Sequence, residues 1–149
     1  LQLAGNTFTT HGNISYTRQV NGCVNQMPLG IDFYAPVHLP QGSQVVSITL
    51  YTYNNASDAA TSSAYFLVND GMGFNAYTVS ADSQPFTTGY QQNSTTNSNP
   101  WIIDNQNYSY LVTWRKHFGT ADSALLSLCG VRVAYYAPVG SLFLPAVTK

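Results

Sequence analysis

Of 149 residues only 7% are charged, the formal net charge is -1, and the acids are Asp alone, without Glu. Arg18, Arg115, Lys116, Arg132 and Lys149 are scattered, which excludes a nucleic-acid binder, since that needs clustered cations to displace counterions. No apolar run approaches the ~20 residues of a membrane-spanning helix, and the length fits one domain.

The 11 Tyr and 7 Phe, with abundant Thr and Val, suit pleated half-buried surfaces. The hydrophobic period is two almost throughout. In chain order, 6–11 and 14–20 read as short strands around Gly12, and 21–30 as a loop. The segment 31–40 reads as a strand broken by Pro36, which places it at an edge or a bulge. PQGS at 40–43 is a turn, with Pro first and Gly after it. A long strand follows at 44–55, with Val46, Ile48 and Leu50 on one face and Val45, Ser47, Thr49, Tyr51 and Tyr53 on the other. Segments 64–70 and 74–80 form a hairpin around NDGMG. A short strand is expected at 85–90, an exposed polar loop at 91–100, and a short strand and turn at 101–106. The alternating 108–118 and the long 123–136, with Gly130 as a bulge, complete the set. The expectation is an all-β, two-sheet antiparallel β-sandwich, jelly-roll-like and without significant helix, spanning 1–149 as one domain.

A start at Leu1 rather than Met reads as a processed signal peptide, hence a secreted protein at a cell surface or in a matrix. In that setting Cys23 and Cys129 read as a disulfide. It closes a loop of about 105 residues, worth up to ~4.7 kcal/mol in the chain-entropy model. Asn13, Asn55, Asn93 and Asn107 lie in N-x-S/T sequons, candidate N-glycosylation sites.

Chemistry-bearing groups are sparse. His11, His38 and His117 lack metal-ligand spacing, no G-x-S-x-G or phosphate loop occurs, and the Asp residues fall mainly in turns. The chain is read as not an enzyme, with no cofactor. Asp70 and Asp104 are weak calcium candidates, each a single carboxylate beside amide oxygens where calcium wants several. Tyr51, Tyr53, Tyr108, Tyr110 and Trp114 could line a sheet face as a stacking platform for sugars, giving polysaccharide as one candidate partner.

FYAPVHLPQGSQVVSITLYTYNN (33–55), IIDNQNYSYLVTW (102–114) and LCGVRVAYY (128–136) resemble uncharacterised secreted β-sandwich modules of bacterial envelope and matrix proteins. The closing LFLPAVTK is similar to the apolar ends of such proteins. The resemblance implies export and carries no active site. A looser likeness, of architecture and tail alone, is to β-sandwich filament subunits that polymerise by donor-strand exchange.

The tail motivates that second likeness. Leu142, Phe143, Leu144 and Val147 crowd the last eight residues, past Pro138 and Gly140. The first residues are also apolar, with Leu1, Leu3 and Phe8. Segments 1–8 and 140–149 are therefore candidate assembly strands, with other copies of the chain as partners. Self-assembly into a filament or matrix is the main functional expectation, and a carbohydrate-binding or adhesin module is the alternative.

Overall fold

The computed structural model describes residues 1–10, 16–19, 21–26, 32–55, 60–72, 75–117 and 125–138. Strands are β1 (Gln2–Ala4), β2 (Thr9–Thr10), β3 (Tyr16–Arg18), β4 (Val24–Gln26), β5 (Asp32–Val37), β6 (Gln44–Asn54), β7 (Ser62–Asn69), β8 (Asn75–Asp82), β9 (Gly89–Ile102), β10 (Ser109–Lys116) and β11 (Leu126–Tyr136). They form two antiparallel sheets. The front sheet has the order β3-β4-β11-β6-β9, with β1 also on β11, and the back sheet the order β2-β5-β10-β7-β8. The expected all-β sandwich is therefore the fold.

Between the sheets lies one apolar core. Ile48, Leu50, Leu128, Val131 and Val133 of the front sheet meet Phe33, Phe66, Val68, Val112 and Trp114 of the back sheet, all essentially inaccessible to solvent. Aromatic contacts run through it: Tyr16 meets Phe33 edge-on at 5.4 Å, and Phe33 meets Trp114 at 5.5 Å.

The face assignment on β6 needs correction. Val45, not Val46, joins Ile48 and Leu50 in the core, and Val46 is half-buried. The cause is a register slip against β9 between Val45 and Ser47, matched by one on β11 between Ala134 and Tyr135. An extra residue at a bulge inverts the alternation beyond it. A second slip, between Leu128 and Gly130, is the bulge expected at Gly130.

Three further expectations change. The polar run 91–100 is not a loop; it lies within β9, paired to β6 from Asn54↔Gly89 to Gln44↔Ile102. Residues 83–88 precede that strand as a connection instead of forming one themselves. The expected loop 21–30 contains β4, which pairs with both β3 and β11. Pro36 does sit at an edge, because β2 covers only Phe33 and Tyr34 of β5.

The N-terminal segment, a candidate assembly strand, is paired within its own chain. Leu3 pairs with Val131, and the Leu1 ammonium donates to the Val133 carbonyl at 3.0 Å. Phe8 is fully buried in the core. Leu142, Phe143, Leu144 and Val147 lie outside the described residues. Two glycines let the N-terminal strap approach β11. A Cβ on Gly5 would stand 2.3 Å from the Leu128 carbonyl oxygen, and one on Gly130 would stand 2.8 Å from that of Leu3. Cys23 and Cys129 form the expected disulfide, which ties the approach to β4 onto β11 at this same place.

Lys116 ends β10 on its inward side. It is 6% exposed, its Nζ donates to Asn25 Oδ1 at 2.6 Å, and it lies 5.7 Å from the centre of the Trp114 ring. Burial pushes its pKa down to about 8.

Two predictions follow from these packing constraints. Gly5→Ala forces the strap off β11 and destabilises the fold by about 1–3 kcal/mol, read as a fall in Tm by calorimetry. For Lys116, between pH 8 and 10.5 the unfolded chain holds a proton that the folded chain has released. Stability therefore rises with pH across that window, by on the order of 3 kcal/mol at most. Urea titrations at several pH values should show this rise in the wild type and its loss in Lys116→Met.

Candidate functional site

The five aromatic residues expected to form a platform do not share a surface. Tyr110 and Trp114 are 3% and 1% exposed. They belong to the core, because β10 turns Tyr110, Val112 and Trp114 inward. Tyr110 stacks on Phe66 at 5.7 Å, and its hydroxyl accepts from the Asp104 N–H at 2.7 Å. Tyr108 lies just before β10, edge-on to Trp101 at 6.0 Å. Tyr51 and Tyr53 do share the outer face of the front sheet, both half-buried.

Tyr90 joins them there. It lies opposite Tyr53 across the β6–β9 ladder, with ring centroids 4.8 Å apart, and is 69% exposed. The Asn21 amide donates to its hydroxyl at 3.2 Å. Gln92 lies opposite Tyr51 and Ser94 opposite Thr49, whose hydroxyls are 2.9 Å apart. On the β11 side Gln19 donates to Ser127 Oγ at 3.3 Å, and the exposed Arg132 pairs with Thr49. The result is a strip of three tyrosines bordered by amides and hydroxyls, with one cation on its flank. Tyr90 was missed in the sequence because it closes the expected short strand 85–90 and the run after it reads as a loop, so nothing set it opposite Tyr53.

A second tyrosine pair occupies the outer face of the back sheet. Tyr65 and Tyr77 are 5.0 Å apart, and Tyr77 is 58% exposed. On the turn ahead of β9, Phe86 is 70% exposed and held at a φ of 55°, a region that bulky residues seldom adopt. Gln91 closes this turn, accepting from the Gln84 N–H and donating to the Thr87 carbonyl.

The calcium candidates are engaged in local turns. Asp70 Oδ1 accepts from the Met72 N–H at 2.8 Å. Asp104 accepts from Asn107 Nδ2 at 2.6 Å, from the Gln106 N–H and from Gln41, and these donors, Asn107 foremost, hold its pKa below the usual carboxylate range. Among the described residues no cluster of three metal-ligating side chains occurs. Of the sequon residues, Asn55 is exposed at the end of β6. Asn93 Nδ2 is enclosed, Asn107 Nδ2 is bound to Asp104, and Asn13 lies outside the described residues.

One constellation resembles catalytic machinery without its wiring. Ser63, 2% exposed, contacts both Asp82 Oδ1 and His117 Nε2 through Oγ. The carboxylate sits directly on the serine hydroxyl, which donates to it. A nucleophile needs the reverse, with the imidazole accepting from serine and the carboxylate on its far nitrogen.

No protein-family model and no curated protein sequence matches the chain. Solved structures do. The chain is similar to a family 6 carbohydrate-binding module of Clostridium cellulolyticum in complex with xylose (TM-score 0.59, 11% identity, 90% of this chain and 96% of that one). It is also similar to another family 6 carbohydrate-binding module (0.58, 9%, 91% and 94%). A third match is a xylan-binding module of family 15 (0.57, 9%, 92% and 97%). At such identities the likeness establishes the fold. It runs to carbohydrate-binding modules and gives no support to filament self-assembly.

Burial separates tyrosines and tryptophans that the sequence treats alike. Trp114→Ala is expected to cost about 3–5 kcal/mol of stability, whereas Tyr90→Ala should cost under about 1 kcal/mol. Denaturant titration of the two variants checks this.

Proposed function

We propose that this chain is a non-catalytic, extracellular carbohydrate-binding module that takes neutral polysaccharide on the strip formed by Tyr51, Tyr53 and Tyr90. The observation that carries the reading is the Tyr53–Tyr90 pair, held 4.8 Å apart on neighbouring strands with one ring largely open to solvent. An exposed aromatic pair braced by a ladder is a pre-organised apolar surface, and sugar rings offer apolar C–H faces to such surfaces. Amides and hydroxyls from Asn21, Gln92 and Ser94 border the rings and can exchange hydrogen bonds with sugar hydroxyls. The near-neutral composition favours a neutral polymer over an acidic one.

The non-catalytic part of the proposal draws on the direct Ser63–Asp82 contact and on Asp70, Asp104 and Asp32, which are bound in turns or ion-paired. Its support in the comparisons is the recurrence of binding modules among the structural neighbours. The disulfide is in keeping with an oxidising, extracellular setting. The self-assembly expectation finds no support in the comparisons, and its main candidate strand, 140–149, lies outside the described residues.

Affinity gel electrophoresis against soluble xylan, mixed-linkage glucan and mannan tests the proposal. At least one polymer should retard the wild type, and Tyr90→Ala or Tyr53→Ala should weaken retardation by about ten-fold or more. Unretarded migration with every polymer, or tyrosine variants that bind as the parent does, would refute it.

A further inference from the structure

We infer a second carbohydrate subsite in the groove where the two sheets meet at their open edge, between β8 and β9. The inference extends the sugar-binding reading above and rests on it only for the ligand class. β8 ends the back sheet and β9 ends the front sheet. Between them opens a groove of about 350 Å3, lined among others by Tyr65, Tyr77, Thr78, Ser80, Thr95 and Asn97. This volume lies within the range of small-molecule sites. No charged side chain occurs among the described lining residues.

An unused donor marks the groove as a place that expects acceptors. Asn97 Oδ1 accepts the Asn99 N–H at 3.1 Å, which fixes the amide's orientation. Its Nδ2 is enclosed and has no hydrogen-bond partner. Enclosed amide donors are nearly always satisfied in native proteins, and a ligand hydroxyl supplies what this one lacks.

The remaining lining narrows the ligand class. The Tyr77 ring, 58% exposed and backed by Tyr65, offers a stacking wall. Thr78, Ser80 and Thr95 offer hydroxyls that can donate or accept. One aromatic wall facing hydroxyls and an amide donor fits a neutral pyranose unit. An added peptide strand would instead need pockets for its alternate side chains, and the groove presents short hydroxyl ends there. Both proposed sites use β9, so one chain of sugar or two could engage a single module.

The test is an NMR titration of the 15N-labelled chain with cellohexaose, xylohexaose and mannohexaose in turn. The Asn97 side-chain NH2 and the Tyr77 backbone amide should shift with at least one of them. Asn97→Asp keeps the acceptor for Asn99 but removes the donor, and should weaken that binding about five- to ten-fold. Tyr77→Ala should weaken it at least as much, while Tyr90→Ala should leave the groove signals responsive. Shifts confined to Tyr53 and Tyr90 would overturn the groove and leave the strip standing. Groove shifts unaltered in Asn97→Asp would overturn the donor's role and with it the inference. No shift anywhere, with any of the three, would overturn both sites.

Discussion

Which side chains face outward on the front sheet depends on the register between β6 and its two neighbours. The ladder slips against β9 between Val45 and Ser47 and against β11 between Leu128 and Gly130. Strand side chains alternate with a strict period of two, so each slip inverts every assignment beyond it. The slip on β6 lets Val45 join Ile48 and Leu50 in the core while Thr49, Tyr51 and Tyr53 keep the outer face. The slip on β11 lets Leu128 and Val131, of opposite parity, both face the core. The N-terminal strap reinforces this register. β1 lies along β11 through the bulge at Gly130, and the disulfide closes beside it, so the register of β11 is held by hydrogen bonds, close backbone contact and a covalent bond together.

The same alternation explains why β9 is polar on both faces. An ordinary strand of a sandwich is apolar toward the core. β9 lies at the edge, and its inward side reaches the gap beside β8 more than the core itself. Tyr90, Gln92 and Ser94 look out over the front sheet, and Thr95 and Asn97 line the groove. A strand with solvent or ligand on both sides has no reason to carry Val or Ile. Its ten-residue tract QQNSTTNSNP therefore lacks the signal by which strands are recognised.

That is why β9 was illegible in the sequence while its partners were not. β6, β7, β10 and β11 each have a core face, and their periodicity identifies them. The disulfide was legible from residue count and setting, and Pro36 from its missing donor. The platform was half legible. Tyr51 and Tyr53 could be placed together by parity, but nothing local distinguishes Tyr51 from Tyr110, since each sits in an alternating strand. Only the partner sheet decides which face becomes core. The Ser63–His117–Asp82 contact was also out of reach, because three strands bring it together from positions 54 and 19 residues away from the serine.

A surface so poor in charge also constrains how any ligand would be recognised. Long-range steering and salt-dependent attraction need clustered charge, and the one described salt bridge, Arg115 with Asp32 at 2.6 Å, neutralises itself on the back sheet. Recognition must come from contact: rings held at fixed spacing, amides whose orientation is set by neighbouring turns, and hydroxyls paired across a ladder. Such contacts lose little conformational entropy on binding, because the protein has already fixed the groups that make them. Gln91 illustrates the economy. One side chain donates and accepts to hold the turn that presents Phe86, on the strand that also presents Tyr90. Rigidity of the sheet and chemistry of its surface are thus supplied by the same residues.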